Sequence, residues 1–146
     1  MTLVKSQLTI NEFLDLPLGE GDITYELIDG QAVPKMSPKK FHSRLTRTLL
    51  KLLELCCHGK GEVCPELAIA LIRKGKAWAP VPEILYLSAN RFPADWQEEG
   101  ICSVPPDLVI EIISLGQTFG QLAGKARDSV DRKQCPQRGR FRLKAL

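Results

Sequence analysis

A run of β-branched residues with an acid in its middle constrains the fold of this chain more than any other feature. Residues 103–114, SVPPDLVIEIIS, are typical of a buried β-strand that begins after two prolines. Side chains alternate between the faces of a strand, so Asp107 and Glu111 share one face with Val109 and Ile113. An isolated ionised carboxylate is costly to bury, so Glu111 must be protonated, paired with a cation or bound to a metal ion.

Two other segments carry candidate partners for Glu111. Glu83 lies at the start of a second apolar strand, and Lys125 lies in an amphipathic helix predicted over residues 116–131. Two carboxylates on neighbouring strands can hold Mg²⁺, and such an ion activates water and stabilises negative charge on a phosphate. A lysine adds positive charge near that phosphate or positions the attacking water. A structural salt bridge between Glu111 and Lys125 explains the same residues without catalysis.

The apolar periodicity predicts a mixed α/β fold, with the order αββαββ, a further strand and a final helix. Asp29-Gly30 predicts a hairpin turn, and residues 9–14 predict a short helix capped by Thr9 or Asn11. Ser37-Pro38 predicts the start of a long helix. Two strands are predicted, one over 62–72 and one over 78–87 that is interrupted by Pro80 and Pro82. The long helix is expected to bury one apolar stripe, formed by Leu45, Leu49, Leu52, Leu53 and Cys56.

The charge distribution divides the chain into a domain and a tail. Six basic residues and no acid follow Asp131, so the net charge of +3 belongs to the tail and residues 1–131 carry about −3. We expect one domain over 1–131 and a basic, poorly ordered tail over 132–146.

The cysteines and the hydropathy predict a cytoplasmic protein without membrane contact. Five cysteines, an odd number, accompany no recognisable secretion signal, and no apolar stretch is long enough to span a bilayer. The spacing of Cys56, Cys57, His58 and Cys64 fits no standard zinc site, so buried thiols are expected there.

Taken in order, four motifs and the helix that carries Lys125 resemble the Uma-two (Uma2) family of endonucleases, which is abundant in cyanobacteria. The motifs are YELIDGQ, MSP followed by a histidine, PEILYL and PPDLVIEIIS, and the resemblance covers about residues 8–131. The family is similar to the PD-(D/E)xK restriction-endonuclease-like superfamily. This resemblance implies a central mixed β-sheet flanked by helices, and metal-dependent hydrolysis of DNA phosphodiester bonds.

The resemblance also implies roles for individual residues. Glu83 matches the first acid of the family, where aspartate is usual, and Glu111 matches the second, so both are implied ligands of Mg²⁺ or Mn²⁺. The superfamily lysine normally lies two residues beyond the second acid, where this chain has Ile113. Lys125 on the following helix is therefore the implied catalytic lysine.

Three further residues match accessory positions of the family. Glu26 lies in the YELIDGQ run, Asp107 opens the last strand, and His42 lies near the start of the long helix. DNA is the implied partner, and a homodimer is the implied assembly. For each of these residues an ordinary structural role is the alternative.

The sequence departs from the family pattern in two places. Glu83 is one methylene longer than aspartate, which displaces a metal ligand by about an ångström, and such misplacement can cost about a hundredfold in rate. After Asp131 the family's last strands are replaced by the basic tail, so we expect the sheet to lack strands and to expose an edge. A catalytically inactive nucleic-acid-binding or interaction module, or a decayed family member, is therefore the rival interpretation. Convergence of Glu83, Glu111 and Lys125, with Glu111 on a central strand, distinguishes the enzyme.

Overall fold

The computed structural model describes residues 7–17, 23–35, 38–93, 96, 100–114 and 116–134. In this part of the chain three α-helices accompany seven β-strands. The helices are α1 (Ile10–Leu14), α2 (Lys40–Cys57) and α3 (Phe119–Val130). The strands are β1 (Tyr25–Ile28), β2 (Gln31–Pro34), β3 (Gly61–Pro65), β4 (Leu71–Arg73), β5 (Lys76–Trp78), β6 (Ile84–Ser88) and β7 (Leu108–Ile110). The predicted mixed α/β class is confirmed.

The hairpin and the short helix form where the sequence predicts them. Asp29 and Gly30 both have positive φ, 50° and 79°, as a tight turn between β1 and β2 requires. Thr9 caps α1 in a reciprocal capping box with Glu12. An isolated bridge between Leu27 and Ala79 then joins the hairpin to the segment after β5, which places β1 against the core.

The prediction of one strand over 62–72 is wrong, because this segment is divided in two, whereas the strand predicted over 78–87 is interrupted at its prolines as expected. Glu66 has a φ of 48°, outside the extended region, and it ends β3 before β4 begins at Leu71. Pro80 and Pro82 lack backbone N–H groups, so they separate β5 from β6. The short strands β4 and β5 form their own antiparallel hairpin.

β6 forms the centre of the sheet that carries the acids. The strand order is β3-β6-β7, and both pairs are antiparallel. Ile84, Leu85 and Leu87 of β6 have no exposed surface, and they lie in the core with residues of β4 and β5. The described ladders are all antiparallel, with one isolated parallel bridge between Ile69 and Cys102.

The prediction that the strand bearing Glu111 is central is wrong for the described part of the chain. Ladder pairing in the run 103–114 is limited to Leu108–Ile110, and these residues form an edge of the three-stranded sheet. The physical reason is that no described strand follows α3: after Val130 comes a 3-10 turn over Arg132–Gln134. Residues 135–146 of the predicted tail lie outside the described residues.

Helix α2 buries only part of the predicted apolar stripe. Its positions that are not exposed are 42, 45, 46, 49, 50, 53 and 57, which recur at helical spacing and define the side that meets β3. Leu45, Leu49 and Leu53 of the predicted stripe lie on this side. Leu52 and Cys56 of the predicted stripe are exposed instead, and Leu52 exposes 53% of its surface. The helix begins at Lys40 with Lys39 at the N-cap, and the predicted cap, Ser37, lies outside the described residues.

No helix among the described residues is both long and apolar enough to cross a membrane.

Core packing predicts that the same change, leucine to alanine, lowers the free energy of unfolding much more in β6 than on the outer side of α2. Leu85→Ala removes a fully buried side chain from β6 and should lower the free energy of unfolding by about 2–5 kcal/mol. Leu55→Ala, on the outer side of α2 where Leu55 is 77% exposed, should change it by about 0.5 kcal/mol or less. Urea denaturation of both variants tests this, and equal losses would contradict the placement of β6 at the centre.

Candidate active site

Three acids lie next to one another at one end of the β3-β6-β7 sheet. The last pairs of the two ladders are Pro65 with Ile84 and Ile84 with Ile110. The next positions in the same registers are therefore Glu66, Glu83 and Glu111. The backbone continues this pairing on one side, because the N–H of Glu66 donates to the carbonyl oxygen of Glu83 at 3.2 Å. Neighbouring strands lie about 4.8 Å apart, so the three acids need cations between or beside them.

Glu83 is buried against a lysine and a histidine. Its Oε1 lies 3.1 Å from Nζ of Lys35 and 3.4 Å from Nε2 of His42, and its side chain is 8% exposed. His42 comes from the first turn of α2, whose inner side carries it into the site. Neither ring nitrogen of His42 makes a hydrogen bond to another described residue.

Lys35 and Glu66 belong to this cluster although the sequence did not predict them. The Nζ of Lys35, which directly follows β2, lies 3.5 Å from Oε1 of Glu66. No local motif marks either residue. Their proximity to Glu83 follows from strand pairing and from the position of the β1–β2 hairpin, which a single sequence does not reveal.

A second cluster joins Glu26, Glu111 and Lys125. The Lys125 ammonium contacts the Glu26 carboxylate and lies 3.0 Å from Oε1 of Glu111. This Oε1 has a charged neighbour but no hydrogen bond of good geometry within the described residues. Glu26 is oriented by the backbone N–H of Val81, which donates to its Oε1 at 2.8 Å. The predicted lysine and the predicted second acid are thus in contact.

The local sequence of α3 explains where Lys125 points. Thr118 caps the helix in a capping box with Gln121, which fixes the helix start. Leu122, Lys125 and Ser129 then recur at spacings of three and four, and Leu122 and Ser129 are both buried. Lys125 therefore lies on the inner side of α3, and its ammonium is carried towards β1 and β7.

Burial and charge act against each other at Glu111. Burial raises the pKa of Glu111 above its ordinary value, the charges of Lys125 and Lys35 oppose this, and Glu26 adds to it. At Lys125 burial acts to lower the pKa, but Glu111 and Glu26 outweigh it and the pKa is raised. The raised pKa of Glu111 and the raised pKa of Lys125 agree with each other, because one ammonium is shared between two carboxylates. Lys125 is held in its charged form, while Glu111 keeps a net cost of ionisation.

The two clusters form one site with an excess of acidic groups. Lys35 acts on the pKa of Glu111 as well as pairing with Glu83, so the two clusters are electrostatically continuous. Four carboxylates, those of Glu26, Glu66, Glu83 and Glu111, face two ammonium groups, so acidic groups outnumber basic ones in the site. Carboxylate oxygens in this balance fit a hard divalent cation.

The donor arrangement fits a cation that keeps most of its water. No group of three or more His, Cys, Asp or Glu side chains in the described ranges is arranged as a metal cage. Mg²⁺ does not require one, since it is often held by one or two carboxylates and several waters. Glu83, which directly precedes β6, and Glu111, which directly follows β7, are the pair that suits it.

Asp107 lies away from this site. It precedes β7, whereas Glu111 follows it, and the four residue steps from 107 to 111 span about 13 Å in an extended chain. Its Oδ2 accepts hydrogen bonds from the N–H of Ser88 at 2.8 Å and from the Ser88 hydroxyl at 2.7 Å, and Arg91 pairs with its other oxygen. Burial acts to raise the pKa of Asp107, but the Ser88 hydrogen bonds and the Arg91 charge outweigh it and lower the pKa. Asp107 therefore anchors the loop after β6 to the start of β7.

Comparison with known proteins gives a family and a fold. A family model described as "Uma2: Putative restriction endonuclease" matches residues 10–128. Among solved structures, the chain is similar to a putative nuclease belonging to DUF820 from Anabaena variabilis ATCC 29413, with a TM-score of 0.65 and 24% sequence identity. The match covers 84% of this chain and 67% of that one. No curated protein matches the chain.

The raised pKa of Glu111 predicts a pH-dependent effect of Glu111→Gln. The pKa of Glu111 is higher in the folded protein than its ordinary value of 4.5. Ionised Glu111 therefore lowers the free energy of unfolding at a pH above the folded-state pKa, and this loss disappears as the pH falls towards 4.5. Glu111→Gln should therefore raise the melting temperature most at neutral pH, and its advantage should shrink as the pH falls. Melting curves between pH 4.5 and 8 measure this.

The matched control for this prediction is Glu62→Gln, which changes an exposed acid of β3 in the same sheet. Its melting temperature should follow that of the unmodified chain at every pH. An advantage of Glu111→Gln that grows on acidification would contradict the direction of the Glu111 shift.

Proposed function

Because the chain belongs to the Uma2 family, we propose that it is a nuclease that hydrolyses DNA phosphodiester bonds with a divalent cation, Mg²⁺ or Mn²⁺. The fold supports a restriction-endonuclease-like nuclease in general terms. One observation carries the specific proposal: Lys125 contacts Glu111, and Lys35, which pairs with Glu83, also acts on the pKa of Glu111, in a site where four carboxylates face two ammonium groups. This arrangement accepts a divalent cation and leaves a lysine beside it.

Each residue of the site has a distinct role in this proposal. Glu83 and Glu111 would hold the cation, which would lower the pKa of a bound water and stabilise charge on a phosphate oxygen. Lys125 would present its positive charge to the phosphate or orient the attacking water. Its protonated state suits the first of these tasks, because two carboxylates raise its pKa.

Two of the accessory residues act through these three. Glu26 fixes the position of Lys125, and it is itself fixed by the N–H of Val81. His42 lies against Glu83 and limits where that carboxylate can turn, since its ring is only 7% exposed. Asp107 has no part in this proposal, because its oxygens are used by Ser88 and Arg91.

The rival proposal is a nucleic-acid-binding module without catalysis. It is favoured by the ion pairs themselves: Lys35 and Lys125 already contact the four acids of the site, as a structural charge network would. Under this proposal no cation binds, and DNA contacts come from the basic residues after Asp131. A homodimer is compatible with either proposal.

A cleavage assay separates the two. The unmodified chain should nick or linearise plasmid DNA when Mg²⁺ or Mn²⁺ is added, and Glu111→Gln should reduce the rate by about 100-fold or more, since it removes a charge from the reacting centre.

Mg²⁺ should also raise the melting temperature of the unmodified chain, because a ligand that binds only the native state stabilises it. Glu111→Gln should abolish that rise, and Glu62→Gln should keep both properties. A full Mg²⁺ response in Glu111→Gln would place the ion elsewhere.

Removing the tail tests the source of DNA affinity. The six basic residues after Asp131 carry the positive charge of the chain, so a chain ending at Asp131 should lose most non-specific DNA binding while keeping its Mg²⁺ response. The logarithm of the binding constant should also fall less steeply with the logarithm of salt concentration, by about 0.9 per lost phosphate contact. Equal DNA binding by the shortened chain would show that residues 1–131 hold a basic surface of their own.

A further inference from the structure

A second lysine, Lys35, forms an ion pair with Glu83, one of the two proposed cation ligands. The Lys35 ammonium lies 3.1 Å from Oε1 of Glu83 and 3.5 Å from Oε1 of Glu66. The side chain of Glu83 is 8% exposed, that of Lys35 14% and that of Glu66 48%. The ammonium is thus shared between a buried acid and a half-exposed one.

This sharing sets up a competition at Glu83. A divalent cation on Glu83 and the Lys35 ammonium carry like charges and repel each other at such short range. Lys35 has an alternative acceptor in Glu66, which is nearer to solvent, and the flexible lysine stem can turn between the two. The other described neighbour of Glu83 is His42, whose Nε2 lies 3.4 Å from Oε1 of Glu83 and whose ring nitrogens make no hydrogen bond within the described residues.

We propose that Lys35 is an internal counter-ion of Glu83. It holds the buried carboxylate in place in the metal-free protein, and it turns to Glu66 when a divalent cation binds Glu83. Lys35 is then a positioning residue, and Glu66 is its second acceptor. The proposal rests on the proposed function, because it takes from it that Glu83 is a metal ligand.

Two substitutions should shift the cation affinity in opposite directions. Lys35→Met removes the competing charge, so Mn²⁺ should bind more tightly by about fivefold or more, within the range of typical coupling between two sites. The melting temperature of the metal-free protein should fall, because buried Glu83 loses its cation. Glu66→Gln removes the second acceptor, so Lys35 stays on Glu83 and Mn²⁺ should bind more weakly by a similar factor. Because Glu66 is half exposed, this variant should leave the metal-free melting temperature almost unchanged.

Calorimetric titration of the full chain with MnCl₂, together with melting curves without metal, measures both effects. Lys35→Arg keeps the charge and should restore most of the metal-free melting temperature that Lys35→Met loses. Lys76→Met, at an exposed position of the β4–β5 hairpin, is the matched control and should change neither quantity.

The outcomes separate this proposal from the proposed function. If the unmodified chain binds Mn²⁺, but Lys35→Met and Glu66→Gln leave the affinity unchanged or shift it in the same direction, the counter-ion role is overturned and the cation site stands. If the unmodified chain binds no Mn²⁺, the proposed function and the counter-ion role fail together.

Discussion

The site depends on one partly buried ammonium, that of Lys125, placed between two carboxylates. Glu26 comes from the first hairpin, Glu111 follows the last described strand, and Lys125 comes from the last helix. Without this cation two buried acids would face each other without compensation, which is among the more costly arrangements in a protein interior. The Lys125 ammonium therefore stabilises the fold, and it is also a candidate catalytic group. It joins the hairpin, the β7 edge and α3.

The sequence predicted a cation beside Glu111 and pointed to Lys125, because both inferences depend on short segments of the chain. An acid in a β-branched strand requires a cation, and the next helix carries a lysine on its inner side; both statements follow from periodicity within short segments. The Asp29-Gly30 turn and the Thr9 cap are likewise local, and they form as predicted. Lys35 and Glu66 could not be found in this way, because only the pairing of β3 with β6 and the packing of the hairpin bring them to Glu83.

The predictions for Asp107 and for α2 were wrong because a periodic pattern does not specify what each side chain packs against. Asp107 and Glu111 have the same parity along one strand, so alternation alone assigns them to one face. It does not show that they lie at opposite ends, each with its own cation: Arg91 for one and Lys125 for the other. In α2 the apolar residues outnumber the positions that the sheet can cover, so the pattern does not fix the rotation of the helix. The exposed Leu52 and Leu55 are the result.

The contact between Glu26 and Lys125 joins positions 99 residues apart in a chain of 146. Contacts of such long sequence separation form late in folding, because the entropy of closing the loop must be overcome first. During synthesis the hairpin and the three-stranded sheet leave the ribosome before α3 does, so Glu26 and Glu111 remain without their shared cation until α3 has emerged. Any chemistry of this site is consequently withheld from the nascent chain until its last described helix has been made.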